Sequence, residues 1–221
     1  MKLLALETAN QQCSVCIVDD TQELFFDFDS RPRAQTQTIL PMIEQGLQQQ
    51  GLQPSDLTAI AFSRGPGSFS GVRINAAVTQ ALAWSNDLPV VPVSTLQALA
   101  QAAQRVHGLS QVTAVIDARM NEVYIASFKL DEHGIMQAVD QEQLLNYEKA
   151  LHVSQFVLVG SGSHLLDATA TQYQALEPTA QDIATIARQA ALQQNWVSAE
   201  LALPVYLRDD AWKKIPDQGK A

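Results

Sequence analysis

A loop of glycines and serines near residue 65 contains the residues whose types and spacing are best suited to chemistry. Residues 64–73 read RGPGSFSGVR and include Gly65, Gly67, Ser68 and Gly71. Glycine adopts backbone angles with positive φ and lets another surface approach the main chain closely. A helix is expected to follow, and the unpaired N–H groups at its start attract an anion, a carboxylate or the acceptor groups of a partner. The loop therefore predicts a binding contact, with a tight strand-to-helix turn as the alternative.

The spacing of these glycines does not match three familiar sites. A P-loop needs a Lys directly after its last glycine, and no Lys follows here. A dinucleotide-binding loop needs Gly-x-Gly-x-x-Gly, whereas this loop has Gly-x-Gly-x-x-x-Gly. A nucleophile elbow needs Gly-x-Ser-x-Gly, and neither Ser68 nor Ser70 stands in that pattern. Spacing alone therefore assigns no chemistry to the loop.

Cys13 and Cys16 form a Cys-x-x-Cys pair. The pair fits redox chemistry, half of a metal site, or two buried cysteines in one strand. Residues three apart on a strand face opposite sides of the sheet, so the thiols should diverge. The chain has no second such pair, and its four histidines lack the spacing of metal ligands. We therefore expect neither a metal site nor redox activity.

Composition indicates an ordinary globular protein. The chain has 221 residues, 47% of them hydrophobic and 17% charged, and its net charge is −9. No apolar run reaches the roughly 20 residues that cross a bilayer, and the chain begins directly with a strand pattern, so we expect a cytoplasmic location without a membrane. A protein that grips RNA alone normally carries a stripe of Lys and Arg. Only the tail after residue 200 is slightly basic, so independent RNA binding is not expected.

Hydrophobic patterning predicts a similar order of elements in both halves of the chain. The first half has strands at 3–7, 13–18, 23–30, 59–63 and 90–93 and helices at 35–50, 72–85 and 94–105. The second half has strands at 112–117, 122–130, 135–139 and 156–159 and a helix at 179–195. Glu7 and Asp117 end the first strand of each half. The pattern favours an α/β fold with duplicated βββαβα units, in which helices cover mixed sheets.

Several long motifs, in one order, connect the chain to a known family. The loop GPGSFSGVR closely resembles the signature loop of the TsaB (YeaZ) family, and the likeness extends to LALETA at 4–9, CSV at 13–15, IDAR at 116–119, EVY at 122–124 and PVYLR at 204–208. The resemblance implies a two-lobed actin-like ATPase (ribonuclease H-like) fold. By analogy, the first lobe covers 1–103 together with the C-terminal tail 196–221, and the second covers 104–195.

The resemblance also implies a function. Proteins of the TsaB family are partners of the transferase TsaD in threonylcarbamoylation of the anticodon-adjacent adenosine of tRNA. The chain is thus expected to be a non-catalytic subunit that binds and activates TsaD, in an assembly joined by the ATPase TsaE, with TsaC supplying the threonylcarbamoyl-adenylate. It would meet tRNA only through the complex and form a homodimer when alone. No tightly bound cofactor is expected, although ATP or ADP could sit at the TsaD interface.

The family's dimer surface is formed by the first two helices. The second of these is rich in small residues and carries one charge, which lets another helix approach closely. The alternative is that both helices simply cover their own sheet. Asn75 and Ala81 stand where the family usually has glycine. The residues expected at the interface are Gln35, Ile39, Met42, Ile43, Gly46, Arg73, Ala76, Ala77 and Gln80.

Nucleotide chemistry is a second hypothesis. Relatives that hydrolyse ATP place an acidic residue at the end of each lobe's first strand, where Glu7 and Asp117 stand here, and a carboxylate pair can hold Mg²⁺ through water. The alternative is that both acids cap turns or pair with Arg119 or Arg73. The expected vestigial nucleotide site comprises Glu7, Thr8, Asp117, Gly160 and Gly162.

Two catalytic readings are less favoured. TsaD carries a paired-histidine metal motif on its first-lobe helix, but the matching residues 31–41 contain no histidine, not even the one that many TsaB sequences keep near Gln35. Glutamine cannot replace two imidazoles as metal ligands. A peptidase would need a serine beside a histidine, and only Ser163 and His164 are neighbours after the Gly160–Gly162 turn. Adjacency in sequence does not orient a general base.

Overall fold

The computed structural model describes residues 1–208. Within them the chain forms two mixed β-sheets, each covered by helices on both faces. Residues 209–221, which include Lys213, Lys214 and Lys220 of the basic tail, lie outside the described residues. Among residues 1–208, no helix combines the length and the apolar composition that a bilayer crossing requires.

The first sheet has the strand order β3-β2-β1-β4-β5. Its strands are β1 (Lys2–Glu7), β2 (Cys13–Asp19), β3 (Glu23–Asp29), β4 (Ala59–Gly65) and β5 (Val90–Ser94). β1 and β2 pair antiparallel, whereas β1, β4 and β5 run parallel. The central strands are nearly continuous apolar runs because helices cover both of their faces. Helices α1 (Gln35–Gln49) and α2 (Phe69–Ser85) cover one face.

The second sheet has the strand order β10-β6-β7-β8, with β9 also paired to β7. Its strands are β6 (Gln111–Arg119), β7 (Glu122–Leu130), β8 (Met136–Ala138), β9 (Gln143–Asn146) and β10 (Val157–Val159). Its helices are α3 (Thr95–His107) on one face and α4 (Tyr147–Val153) and α5 (Ser163–Leu166) on the other.

The predicted duplication is confirmed by the strand orders. In both sheets the first strand of the unit lies between its antiparallel second strand and a parallel strand, β4 or β10. In the first unit β3 pairs with β2, whereas in the second unit two short strands, β8 and β9, pair with the equivalent strand β7. Strand β9 and helix α4 were not predicted, because four residues of mixed polarity followed by a seven-residue helix show too little periodicity.

The last helix, α6 (Ala180–Leu192), packs on the first sheet rather than the second. Its buried Ile183 lies in one core cluster with Leu3 of β1. Asp182, which is fully buried, accepts two hydrogen bonds of 2.8 and 2.9 Å from Arg105 of α3. The prediction that residues 179–195 belong to the second lobe was therefore wrong for α6. An amphipathic pattern predicts a helix but does not specify which sheet the helix covers. The division of the chain at residue 103 stays a prediction.

Cys13 and Cys16 point to opposite sides of the first sheet, as the two-residue period of a strand predicts. Both thiols are buried and free. Burial raises the pKa of Cys13 to about 11 and raises that of Cys16 further. Both side chains are therefore protonated at neutral pH and serve as apolar packing groups.

Candidate functional site

The glycine loop packs against the corner that follows β1. The backbone N–H of Ser68 donates to the carbonyl of Ala9 at 2.7 Å, and the hydroxyl of Thr8 donates to the carbonyl of Gly71 at 2.8 Å. A Cβ atom on Gly67 would overlap the Ala9 carbonyl, and one on Gly71 would overlap the Thr8 carbonyl. These glycines therefore permit close approach within the chain.

Helix α2 begins earlier than the sequence predicts. It starts at Phe69 instead of residue 72, and the side chain of Ser68 caps it by accepting from the N–H of Gly71 at 3.4 Å. Gly65, the first of the four predicted loop residues, adopts a φ of 102° and lies beside the carbonyl of Val205. The loop thus fixes the start of α2 against β1 and against the C-terminal segment.

Glu7 is a buried carboxyl group. It is fully inaccessible, and burial raises its pKa to about 8, although hydrogen bonds from Ser63 and from the backbone N–H of Ala9 partly offset this rise. Its second carboxylate oxygen has no hydrogen-bond partner among the described residues. Because Glu7 is fully buried, its carboxyl group does not face the cleft, where a Mg²⁺ ion held by both acidic corners would have to lie.

Asp117 lies in a large cleft between the two lobes, with a volume of about 1460 Å³. Its carboxylate forms an ion pair of 2.9 Å with Arg119 and accepts a hydrogen bond from the backbone N–H of Arg119. The alternative reading, in which the acidic corners cap turns and Asp117 pairs with Arg119, therefore describes this corner correctly. Four arginines line the cleft: Arg33, Arg73, Arg119 and Arg208.

The other members of the expected nucleotide site do not line this cleft. Glu7 and Thr8 are buried behind it. Gly160 and Gly162 pack on the second sheet, where the N–H of Gly160 donates to the carbonyl of Tyr173 and that of Gly162 to the carbonyl of Val115, each at 3.0 Å. The structure therefore assembles only part of the expected site. Asp117 lies against the Gly160–Gly162 turn, where its backbone N–H donates to the Ser161 hydroxyl at 3.2 Å, whereas Glu7 and Thr8 are buried apart from the cleft.

No Ser–His pair is assembled at residues 163 and 164. Ser163 is buried, and its hydroxyl donates to the carbonyl of Ala170 at 2.9 Å. His164, the next residue of the short helix α5, is exposed. Across residues 1–208, no group of three or more His, Cys, Asp or Glu side chains is arranged to share a metal ion.

Most residues expected at the helical interface are buried in the chain's own core. These are Ile39, Met42, Ile43, Gly46 and Ala76, and Gln35 is buried beside the cleft, where it donates to the carbonyl of Asn10 at 3.3 Å. A Cβ atom on Gly46 would meet the ring of Phe25, which shows that this glycine serves packing within the chain. The assignment of these six residues to a free surface was wrong, because the apolar stripe of each helix is used by its own sheet.

Asn75 also faces inward. It is fully buried, and its side-chain N–H groups donate to the carbonyls of Leu6 and Ser63 at 3.1 and 3.2 Å and to the Ser63 hydroxyl at 2.8 Å. Asn75, which stands where the family usually has glycine, therefore attaches α2 to β1 and β4.

The exposed side of α2 carries a stripe of residues that we call the α2 face: Phe69, Arg73, Ala77, Ala81 and Trp84. At 100° per residue these positions fall within about one third of the helix circumference. The side chains of Phe69 and Trp84 are 62% and 68% exposed. Sequence reasoning found Arg73 and Ala77 but missed both aromatic residues, although their spacing on the helix could have identified them.

The C-terminal segment runs beside the α2 face. Its carbonyl at Glu200 accepts a hydrogen bond of 3.4 Å from Gln80. Nearer the start of α2, the guanidinium group of Arg73 lies over the ring of Phe69 at 3.4 Å and over that of Tyr206 at 4.9 Å. These contacts extend the exposed surface from α2 to the rim of the cleft.

Comparisons with known proteins agree with the sequence motifs. The chain is 39% identical over 229 residues to the tRNA threonylcarbamoyladenosine biosynthesis protein TsaB of Escherichia coli (strain K12), covering 98% of this chain and 99% of that protein. The protein of the same name from Haemophilus influenzae is 36% identical and covers 98% of both chains. This chain belongs to the TsaB (YeaZ) family.

Solved structures confirm the predicted fold class. YeaZ from Pseudomonas aeruginosa superposes with a TM-score of 0.86 at 37% identity, covering 93% of this chain and 99% of that one. A second structure, described as similar to peptidase YEAZ, has a TM-score of 0.85. The family model described as TsaD, tRNA N6-adenosine threonylcarbamoyltransferase, matches residues 31–214. The TsaB chain therefore has the two-lobed actin-like α/β fold and shares it with a transferase family.

Proposed function

We propose that this chain is a non-catalytic subunit in tRNA threonylcarbamoyladenosine synthesis, and that it binds and activates a TsaD-type transferase through the α2 face. The names of its TsaB relatives support the process. The match to the TsaD family model supports a partner with a related first lobe, able to present an equivalent pair of helices.

The exposure of the α2 face is the observation that carries this proposal. Phe69 and Trp84 stand at its two ends, and the small side chains of Ala77 and Ala81 lie between them. Two exposed aromatic side chains on one helix face are unfavourable in water and are typical anchors of protein interfaces. The alanines let a partner helix approach closely between these anchors. Without the transferase, a second copy would cover the same surface and give a homodimer.

The acidic corners favour a supporting role over catalysis. Glu7 is buried and largely neutral, while Asp117 is engaged by Arg119. Any ATP or ADP would then lie where the transferase covers the arginine-lined cleft, and we propose no tightly bound cofactor in this chain alone. TsaE would join the assembly. The tRNA would be held chiefly by the other subunits, because this chain carries a net charge of −9.

Ala77→Arg tests the interface. We expect the substitution to weaken binding of the TsaD-type transferase at least 100-fold, because a long charged side chain would stand between the two aromatic anchors. Isothermal titration calorimetry measures the affinity, and size-exclusion chromatography of the chain alone should show a shift from dimer to monomer.

Ala168→Arg is the matched control, since Ala168 is exposed in the second lobe away from α2. It should bind the transferase like the wild type. Equal affinity of the Ala77→Arg variant and the wild type would refute the proposed docking surface.

A further inference from the structure

The turn between β6 and β7 has an unusual backbone and an exposed apolar tip. Arg119, Met120 and Asn121 adopt φ values of 63°, 56° and 60° in succession. Residues other than glycine rarely enter this left-handed region, and three in a row are more costly still. Met120 is 79% exposed, the largest exposure among the large apolar side chains of the described residues.

Arg208, in the C-terminal segment, contacts three residues of this turn. Its guanidinium group forms an ion pair of 2.7 Å with Glu122 and donates to the carbonyl of Ala118 at 3.2 Å. It also lies 3.8 Å from the sulfur of Met120. The ends of the turn and its tip are thus held by one residue, so Met120 is presented to solvent on a fixed support.

The C-terminal segment that carries Arg208 also contacts the α2 face. Arg208 is two residues beyond Tyr206, whose ring lies beneath the guanidinium group of Arg73. Six residues along this path line the cleft: Phe69, Arg73, Ala118, Arg119, Tyr206 and Arg208. The exposed surface is therefore continuous from α2 in the first lobe, along the C-terminal segment, to the β6–β7 turn in the second.

We propose that the β6–β7 turn, with Met120 at its tip, is a second contact for the same TsaD-type transferase. The inference rests on the proposed function. Met, Arg and aromatic residues are the types enriched in interface cores, and this rim contains all three. A partner that fits has an apolar pocket for Met120 bordered by carboxylates that face Arg119.

A second contact has a mechanical consequence. Docking on α2 alone leaves the partner free to pivot about one helix, whereas contacts on both lobes fix its orientation across the cleft. The partner then covers the four arginines that line the cleft, and an anion bound there is separated from bulk water.

Thiol protection tests the contact directly. Cys13 and Cys16 are the only cysteines of the chain and both are buried, so Met120→Cys introduces a single accessible thiol. We expect saturating transferase to slow its alkylation by iodoacetamide at least tenfold. Leu151→Cys, which is exposed on α4 of the same lobe, is the control and should react at the same rate with and without the transferase.

The possible outcomes separate this contact from the proposed function. If a complex forms and the Met120→Cys thiol stays as reactive as before, the second contact is refuted while docking on α2 stands. If the wild-type chain forms no complex, both proposals fail. Met120→Asp should weaken binding about tenfold, and Met120→Leu should preserve it. Equal binding by the Met120→Asp variant and the wild type would likewise overturn the contact.

Discussion

Gly71→Ala is expected to destabilise the protein by about 3 kcal/mol, although helix propensity alone predicts a gain of about 1 kcal/mol for this change. Gly71 lies in the first turn of α2, where its hydrogen atom faces the carbonyl of Thr8. An added methyl group has no room, because the opposing atom belongs to the backbone of the β1 corner and not to a flexible side chain. The start of α2 would have to move away from β1. Urea unfolding followed by circular dichroism measures the loss.

Gly51→Ala provides the comparison. Gly51 has a φ of 62° but open space around its missing Cβ. This substitution should cost only about 1 kcal/mol, the usual penalty of placing alanine in the left-handed region. A Gly71→Ala variant as stable as the wild type would show that the loop does not need its close approach to the β1 corner.

Glu7→Gln is expected to make the protein more stable than the wild type at alkaline pH. Burial raises the pKa of Glu7 from 4.5 to about 8 in the folded state. Between these values the unfolded chain has released the proton while the folded chain retains it, so stability falls as pH rises through this window. Each pKa unit corresponds to about 1.4 kcal/mol, and the full effect is therefore about 5 kcal/mol by pH 9. Glutamine stays neutral and removes this dependence.

Urea midpoints from pH 5 to pH 9 measure the difference between the Glu7→Gln variant and the wild type. The two should agree most closely near pH 5 and diverge above it. Glu44→Gln, on the exposed side of α1, is the control and should follow the wild type throughout. Parallel curves for Glu7→Gln and the wild type would mean that Glu7 is already ionised in the folded protein.

The sequence predicted local structure where a short-range rule applies. Side chains alternate between the two faces of a strand, which predicts that Cys13 and Cys16 point in opposite directions. The two thiols do lie on opposite sides of the sheet. The duplicated unit was recognisable from the order of strands and helices and from the acids that end the first strands. The family motifs were sufficient to predict the fold class.

The site was harder to predict because exposure depends on tertiary packing. Ile39 and Met42 belong to an apolar stripe, and no local pattern states whether such a stripe meets its own sheet or another protein. Gly67 and Gly71 indicated a close approach, but the approaching surface is the chain's own β1 corner. The conformation around Met120 has only a weak sequence signal, since its turn contains no glycine and Asn121 is the one residue in it that readily adopts a positive φ.

Helix α3 is shared by the two halves of the molecule. Ala98 lies in the core beneath the first sheet, whereas the neighbouring Leu99 lies in the core beneath the second. At its end, Arg105 is tied to the buried Asp182 of α6. Neither half can lose its packing without exposing part of the other, so the whole described chain should denature in a single cooperative transition despite its two-lobed shape.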